Sequence, residues 1–196
     1  VSTPSRYKHL LELNIAILFI STSGVLGRVI TFAPPISIWG RSFIGFLLIA
    51  AYCFYKKIPL KLLDKKDGGV LAISGLLFGA HWITYFYSLQ WSNVAIAMIA
   101  IFTYPVMTAF IEPVISKAKF QWIHVLLGMF VLVGIYFLTP EMNFENQQTK
   151  GMLIGLFSAF VYAIRNVLSK QQAEKYAPSF VMLFQTAVVA MVLLPV

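Results

Sequence analysis

Apolar positions in this sequence run on for about 20 residues at a time, the length a helix needs to cross the hydrocarbon core of a bilayer. Seven such stretches stand out, at 10–31, 36–55, 68–91, 93–116, 120–138, 150–170 and 178–196. A membrane β-strand would instead alternate apolar and polar positions over about 10 residues. Runs such as 123–138 do not alternate, so the expected elements are helices. Trp91-Ser92-Asn93 is almost no loop, and 116–119 is little more. Connectors this short make consecutive helices antiparallel neighbours in a bundle. Arg6, Lys8 and His9 could open a signal peptide, but no small-x-small cleavage site precedes Arg28. The first stretch is therefore read as a retained helix.

Composition agrees with the pattern. Of 196 residues, 59% are hydrophobic and only 11% charged, and the mean hydropathy is +0.81. A soluble domain carries about 25% charged residues, so too few charges remain to cover a water-facing surface. A soluble enzyme, a disordered tail and a nucleic-acid module are excluded, despite a net charge of +8. Cys53 is the single cysteine; it makes no internal disulfide and, alone, no cysteine-based metal site. No cofactor is expected. The cations fall on one side of the expected topology: Arg6, Lys8, Lys56, Lys57, Lys61, Lys65, Lys66, Lys117, Lys119, Lys170 and Lys175, against Lys150 beside Glu141 and Glu145. That bias places the amino terminus in the cytoplasm. Arg28, Arg41 and Arg165 lie inside helices.

The passage from Ala33-Pro34 to Ile49 can be laid on the passage from Ala177-Pro178 to Leu193, with Arg41 on Gln185 and Ser42 on Thr186. Just upstream, Arg28-Val-Ile-Thr31 resembles Asn166-Val-Leu-Ser169. The sixth and seventh helices thus look like a second copy of the first two. A five-helix unit repeated once is inverted in its second copy, an architecture of transporters. The firmest stretch for comparison is Tyr85-Phe-Tyr-Ser-Leu-Gln-Trp-Ser-Asn-Val-Ala-Ile-Ala97, followed by Tyr104-Pro105, Gln121-Trp122, Gly128 and Gly134. An aromatic third helix, a tight turn, a proline in the fourth helix and a glycine-spaced fifth resemble EamA-type members of the drug/metabolite transporter superfamily. Arg41 sits where that family often has an arginine early in helix 2. One departure is Lys117-Ala118-Lys119, where the family commonly pairs an acid with a base, so no role passes to that acid.

The resemblance implies an all-α polytopic membrane protein, a helical bundle of two inverted five-helix repeats. The first repeat would occupy 1–138 and the second would begin in 139–196, so the chain is expected to be part of a ten-helix protein. It further implies a secondary transporter of the bacterial inner membrane that exports or exchanges a small organic metabolite, an amino acid or similar, by alternating access. Its partners would be that solute and the lipid bilayer, with protons as a candidate coupling ion and a homodimer as a candidate assembly, and no nucleic acid.

Polar groups inside a membrane are expensive and mark candidate sites. They fall into stripes at helical spacing: Asn14, Ser21 and Arg28; Ser37 and Arg41; Ser74, His81, Tyr85 and Ser88; Tyr104, Thr108 and Glu112; Ser158, Tyr162, Arg165 and Ser169. The expected substrate pathway is His81, Trp82, Tyr85, Tyr104, Thr108, Arg41 and Tyr162. Arg28, Glu112, Arg165 and Pro105 are candidates for gating or coupling, with Pro105 expected to kink the fourth helix in its middle. Bland alternatives stand beside these. The arginines could snorkel to headgroups, Glu112 could pair with Lys117, and His81 could be a hydrogen-bonded packing residue. Gly75, Gly79, Gly151 and Gly155 are expected to be packing positions. A retinal protein would need a lysine in its last helix, and none lies in 178–196. A seven-helix receptor or sensor, or a membrane-embedded enzyme, is the alternative function, although no His/Asp/Glu pair has metal-ligand spacing.

The topology is directly testable. In a Cys53→Ser background, a membrane-impermeant maleimide should label Lys61→Cys only from the cytoplasmic face and Glu145→Cys only from the opposite face. Labelling of both from one face would contradict the alternation of spans.

Overall fold

The computed structural model describes residues 6–117, 120, 122–138 and 145–194. Lys119, Gln121 and Glu141 lie outside the described residues, as do the side chains of Arg6, Lys8, His9 and His124. Eight helices form among the described residues: α1 (Arg6–Val29), α2 (Pro34–Tyr55), α3 (Lys65–Trp91), α4 (Val94–Ile101), α5 (Tyr104–Ser116), α6 (Trp122–Leu138), α7 (Gln147–Ala173) and α8 (Pro178–Val192). The seven expected stretches are helical, as α1, α2, α3, α4 with α5, α6, α7 and α8. Five of them are long and apolar enough to span a membrane, counting α4 and α5 as one. The 17 residues of α6 and the 15 of α8 make shorter apolar rods.

The helix starts are written in the sequence. Asp64 accepts from the Lys66 amide at 3.1 Å, Asn93 from Ile96 at 2.9 Å and Asn146 from Gln148 at 2.9 Å. Each satisfies an amide that has no partner within its own helix. Helices α2 and α8 begin on proline instead, whose missing N–H costs nothing at the first helical position. Their preceding alanines share one backbone conformation, with φ −55° and ψ 136° at Ala33 and φ −56° and ψ 133° at Ala177.

Side-chain pairings give each helix its direction. Ser74 meets Ser169 and His81 meets Ser158, so α3 and α7 are antiparallel. Trp39 donates to the Ala190 carbonyl at 3.2 Å while Gly45 faces Thr186, so α2 and α8 are antiparallel too. Tyr104 packs on Tyr162 and Glu112 reaches Lys170, so α5 runs parallel to α7. Gly24 faces Tyr85 and Gly27 faces Leu89, which sets α1 parallel to α3. Helix α5 therefore runs opposite to α3, the span before it. Lys175 bonds Asp67 and Lys170 bonds Glu112, which brings the ends of α5 and α7 to the lysine-rich α2–α3 connector.

Helices α3 and α7 form the centre, each 44% buried over its most apolar window, against 11% for α1 and 17% for α2. Phe19, Phe54, Phe130 and Phe137 stand out from the outer helices, as side chains that face lipid do. Small residues set the spacing inside. A Cβ at Gly75 would come within 2.8 Å of Val188 and one at Gly155 within 2.8 Å of Ala100. Gly79 presses on Val189 and Gly151 on the backbone of Trp91 and Ser92. All four glycines are packing positions, as their spacing predicts.

Three expectations change. The fourth span is not one helix kinked at Pro105: it is interrupted at Phe102–Thr103, and Pro105 lies in the first turn of α5. Because Pro105 has no N–H, the Ile101 carbonyl four residues earlier loses its donor, and the chain tightens through Thr103 N to Ala100 O at 3.3 Å. The proline inside a helix is Pro113, which the sequence reading passed over. Second, Asn14 and Ser21 are exposed and bond back to the carbonyls of Leu10 and Leu18. Short polar side chains can satisfy themselves on their own helix, so this part of α1 adds nothing to a shared interior. Third, Glu112 pairs with Lys170 and not with Lys117.

Gly151 has a backbone against it, which cannot rotate away. Gly151→Ala should cost about 1–3 kcal/mol through overpacking, read as a lower unfolding temperature in detergent. Gly40, with nothing near it, is the control. Gly40→Ala should hold or raise that temperature, and equal losses at both sites would contradict the close α3–α7 contact.

Candidate functional site

The interior between α2, α3, α5, α7 and α8 is built on the α3–α7 seam. His81 is 3% exposed. The Ser158 hydroxyl donates to the His81 carbonyl at 2.7 Å, so its oxygen is left to accept from His81 Nδ1 at 2.9 Å. The Ser158 carbonyl lies 3.3 Å from the same nitrogen. Two acceptors at Nδ1 place the proton there and leave the lone pair on Nε2. The imidazole stacks on Tyr162 with ring centres 4.3 Å apart, and Tyr162 meets the edge of Tyr104 at 4.8 Å. Trp82 lies 5.2 Å from His81, 6.0 Å from Tyr85 and 6.3 Å from Phe78. One row of rings thus runs from α5 through α7 into α3.

The intramembrane arginines close on this row. Arg41 from α2 lies over Trp82, 3.9 Å from the ring centre, and donates to Ser23 on α1 at 2.9 Å. Arg165 from α7 lies over Phe78 at 4.8 Å and bonds Gln185, with a further donation to Asn166 at 3.1 Å. A guanidinium over an aromatic face gains about 0.5–1 kcal/mol at an exposed site such as Arg41, and more as it is desolvated. Arg41 stays exposed beside Trp82, while Arg165 is half-buried. Gln185 is fully buried, and its amide donates to Ser74 at 2.6 Å and to Ser169 at 2.8 Å. It knots α3, α7 and α8 together.

The structure brings together His81, Trp82, Tyr85, Tyr104, Tyr162 and Arg41 from the expected pathway. Tyr85 turns its hydroxyl to the Met98 sulfur at 2.9 Å. Thr108 bonds the Tyr104 carbonyl of its own helix at 2.8 Å. Among the gating candidates, Arg165 joins the interior while Arg28 and Glu112 stand at opposite ends of the bundle. Arg28 donates to the Leu89 and Gln90 carbonyls at 2.7 and 2.5 Å. A cation at a helix C-terminus satisfies carbonyls that have no amide beyond them. Gln90 reaches back to the carbonyls of Ile30 and Phe32, so this end of α3 is tied to the α1–α2 turn.

The lysine-rich end holds residues that sequence reasoning missed. Asp67, 6% exposed, accepts from Lys175 and from the Tyr176 hydroxyl, both at 2.8 Å. The Tyr176 oxygen accepts in turn from the Leu63 amide at 2.9 Å. The α2–α3 connector, the start of α3 and the α7–α8 turn are thereby held as one. A lone amide in the apolar run of α8 was the available signal for Gln185. No spacing rule links Asp67 to residues more than a hundred positions away.

Residues 10–139 match the model of the EamA-like transporter family. The chain belongs to that family. It is similar to a protein named "Uncharacterized transporter" from Archaeoglobus fulgidus, 31% identical over 110 residues, which are 56% of this chain and 39% of that relative. The match therefore spans less than half of the relative's length. No solved structure matches the chain. Helical, multi-pass membrane architecture is what the family and the apolar helices together show.

Hydrogen bonding to Asp67 holds the Lys175 ammonium above the ordinary lysine value. A cation whose pKa is raised on folding stabilises the fold fully below the ordinary value, and that gain is lost as pH rises through the raised one. Lys175→Met should therefore unfold at a lower temperature than the parent at neutral pH, with the gap closing in strongly alkaline buffer. A gap that stays open there would contradict the ion pair.

Proposed function

We propose that this chain is the transport core of a secondary carrier that exports or exchanges a small organic metabolite, an amino acid or similar, by alternating access. The observation that carries this reading is the ring row Tyr104–Tyr162–His81–Trp82, held between four spans and flanked by Arg41 and Arg165. A structural core in lipid has no use for so many polar and aromatic groups, because each must be satisfied inside the bundle at a cost. A solute pathway does use them. Tyr85 packs on His81 and Trp82, and Thr108 follows Tyr104 by one turn of α5, which supports including both in the pathway.

Alternating access needs bonds that part at one end while they close at the other. Arg28 with Gln90 at one end, and Glu112–Lys170 with Asp67–Lys175 at the other, are such sets. Exposed ion pairs are worth only about 0–1 kcal/mol, and Glu112–Lys170, whose lysine is exposed, can exchange within a transport cycle. Asp67 is buried beside Lys175 and Tyr176 and parts at a higher cost. The carbonyl freed ahead of Pro105 supports a hinge between α4 and α5. Protons are the candidate coupling ion, with His81 Nε2 as acceptor. The shared Ala-Pro starts of the antiparallel α2 and α8 support an inverted repeat, first copy 1–138 and second from 139. The lysine bias supports a cytoplasmic amino terminus, and the setting proposed is the bacterial inner membrane.

The test is counterflow of labelled amino acids and related metabolites into vesicles that contain the full-length protein. At least one should exchange. Trp82→Ala and Tyr162→Ala should slow it by about tenfold, the equivalent of roughly 1.4 kcal/mol of lost wall contact. His81→Gln should flatten its pH profile. An absence of flux, with turnover of a lipid instead, would overturn the transport reading in favour of a membrane-embedded enzyme.

A further inference from the structure

The connector between α2 and α3 carries charge that the bundle does not cancel. Five lysines fall between positions 56 and 66, at Lys56, Lys57, Lys61, Lys65 and Lys66, and all five are exposed. Among the described residues, the ion pairs at this end belong to Lys170 and Lys175 instead. Asp64, the one acid within the run, accepts from the Lys66 amide. Lys56 lies over the Tyr55 ring, 5.6 Å from its centre, and a ring face leaves the charge of an ammonium in place.

The apolar residues of the same run divide into two sets. Ile58 and Leu62 pack on the cluster of Leu71, Tyr176, Phe180 and Val181, and the Leu63 amide donates to the Tyr176 hydroxyl at 2.9 Å. The side chains of Leu60 and Leu63 are left exposed among the lysines, Leu63 at 75%. Helix α3 has 27 residues, a rise of about 40 Å against a hydrocarbon core of about 30 Å. Charged side chains do not stay in hydrocarbon, so the surplus length lies at the Lys65–Asp67 end, and the connector meets the headgroup layer. Inorganic phosphate would use the lysines alone and leave both leucines in water. A phospholipid uses both sets, its phosphate on the ammonium groups and its upper acyl carbons on the leucines. A choline headgroup brings a cation of its own, which the lysines repel. Because the connector is already pinned to Tyr176, little ordering remains to oppose binding.

We infer that the α2–α3 connector is a docking surface for anionic phospholipid, its phosphate on Lys61, Lys65 and Lys66 and its upper acyl chain against Leu60 and Leu63. Clustered lysines next to the end of a span are drawn to anionic lipid by just this charge match. The inference needs the membrane-spanning architecture and not the transport reading, so it stands or falls without any measurement of flux.

The test follows the unfolding midpoint of the full-length protein in dodecyl maltoside micelles doped with dioleoyl-phosphatidylglycerol or dioleoyl-phosphatidylcholine, since a ligand of the folded state raises that midpoint. Phosphatidylglycerol should act at the lower mole fraction. Each lysine at an anionic surface is worth about fivefold in affinity. Lys61→Gln, Lys65→Gln and Lys66→Gln together should therefore raise the half-maximal mole fraction by about tenfold or more. Lys117→Gln, Lys119→Gln and Lys150→Gln remove the same charge elsewhere and should leave it unchanged. Leu60→Ser with Leu63→Ser keeps every charge and should still weaken the response, and inorganic phosphate should not replace the lipid. Equal responses to the two lipids, or none to either, overturn the inference. So do a connector variant that responds as the parent does, a control that loses as much as the connector variant, and a phosphate response equal to that of the lipid. Native mass spectrometry of the unaltered protein gives a second reading that needs no variant. Phosphatidylglycerol should stay bound at a collision energy that strips phosphatidylcholine, and equal stripping overturns the docking surface.

Discussion

Hydrocarbon offers no hydrogen-bond partner, so every polar side chain that enters the span must find one on a neighbouring helix, and each partnership fixes where two helices meet. The seam between α3 and α7 carries two of these partnerships, Ser74 with Ser169 and His81 with Ser158. Gly151 and Gly155 let α7 approach the end of α3 at Trp91, Ser92 and Ser88, and Ala100 of α4. At that spacing Ser158 can exchange bonds with His81, and Ser169 can share the Gln185 amide with Ser74. Lone apolar packing would leave helices free to slide, because lipid is as apolar as leucine. A mutual pair such as His81 and Ser158 sets the register, and the rings of Trp82, Tyr85 and Tyr162 are aimed by it.

Charge is handled in two ways, and the division follows the dielectric. At the lysine-rich end, exposed ammonium groups meet carboxylates: the Glu112–Lys170 pair contributes little and exchanges readily, while Asp67 is buried and held by Tyr176 as well as Lys175. In the interior, arginine meets ring faces and amide oxygens. Removing one partner of a buried charge costs several kcal/mol, so Arg165 and Gln185 belong to the firm part of the molecule. Firm centre and yielding ends are the division that the proposed cycle needs: the solute site keeps its shape while the ends open in turn.

Much of the architecture was legible because hydropathy is a strong signal in a span. The crossings, their alternation and the stripe from Ser74 through His81 to Ser88 could be read from spacing alone. So could the stripe from Ser158 to Ser169 on the helix that faces it. What spacing could not supply was partnership. Glu112 has a lysine five residues away in sequence, but it pairs with one on α7, because the parallel course of α5 and α7 brings their ends together. Asn14 and Ser21 carry the same stripe signature as the interior residues, yet a short side chain can return its hydrogen bond to its own helix. Pro105 marked the right place and the wrong event. A proline tolerated in the first turn of a helix signals a break just upstream, where the chain tightens at Thr103, and the proline in the interior of α5 is Pro113.

The account turns on whether the ring-lined interior is reached by water and solutes or is a dry core. Tyr162→Cys in a Cys53→Ser background decides this, with a small charged methanethiosulfonate reagent added in turn to each side of vesicles that hold the full-length protein. Reaction at position 162, with none at Phe130→Cys on the outside of α6, is the result this account predicts. A thiol at 162 that stays unreactive from both sides would contradict a pathway through the α3–α7 interior.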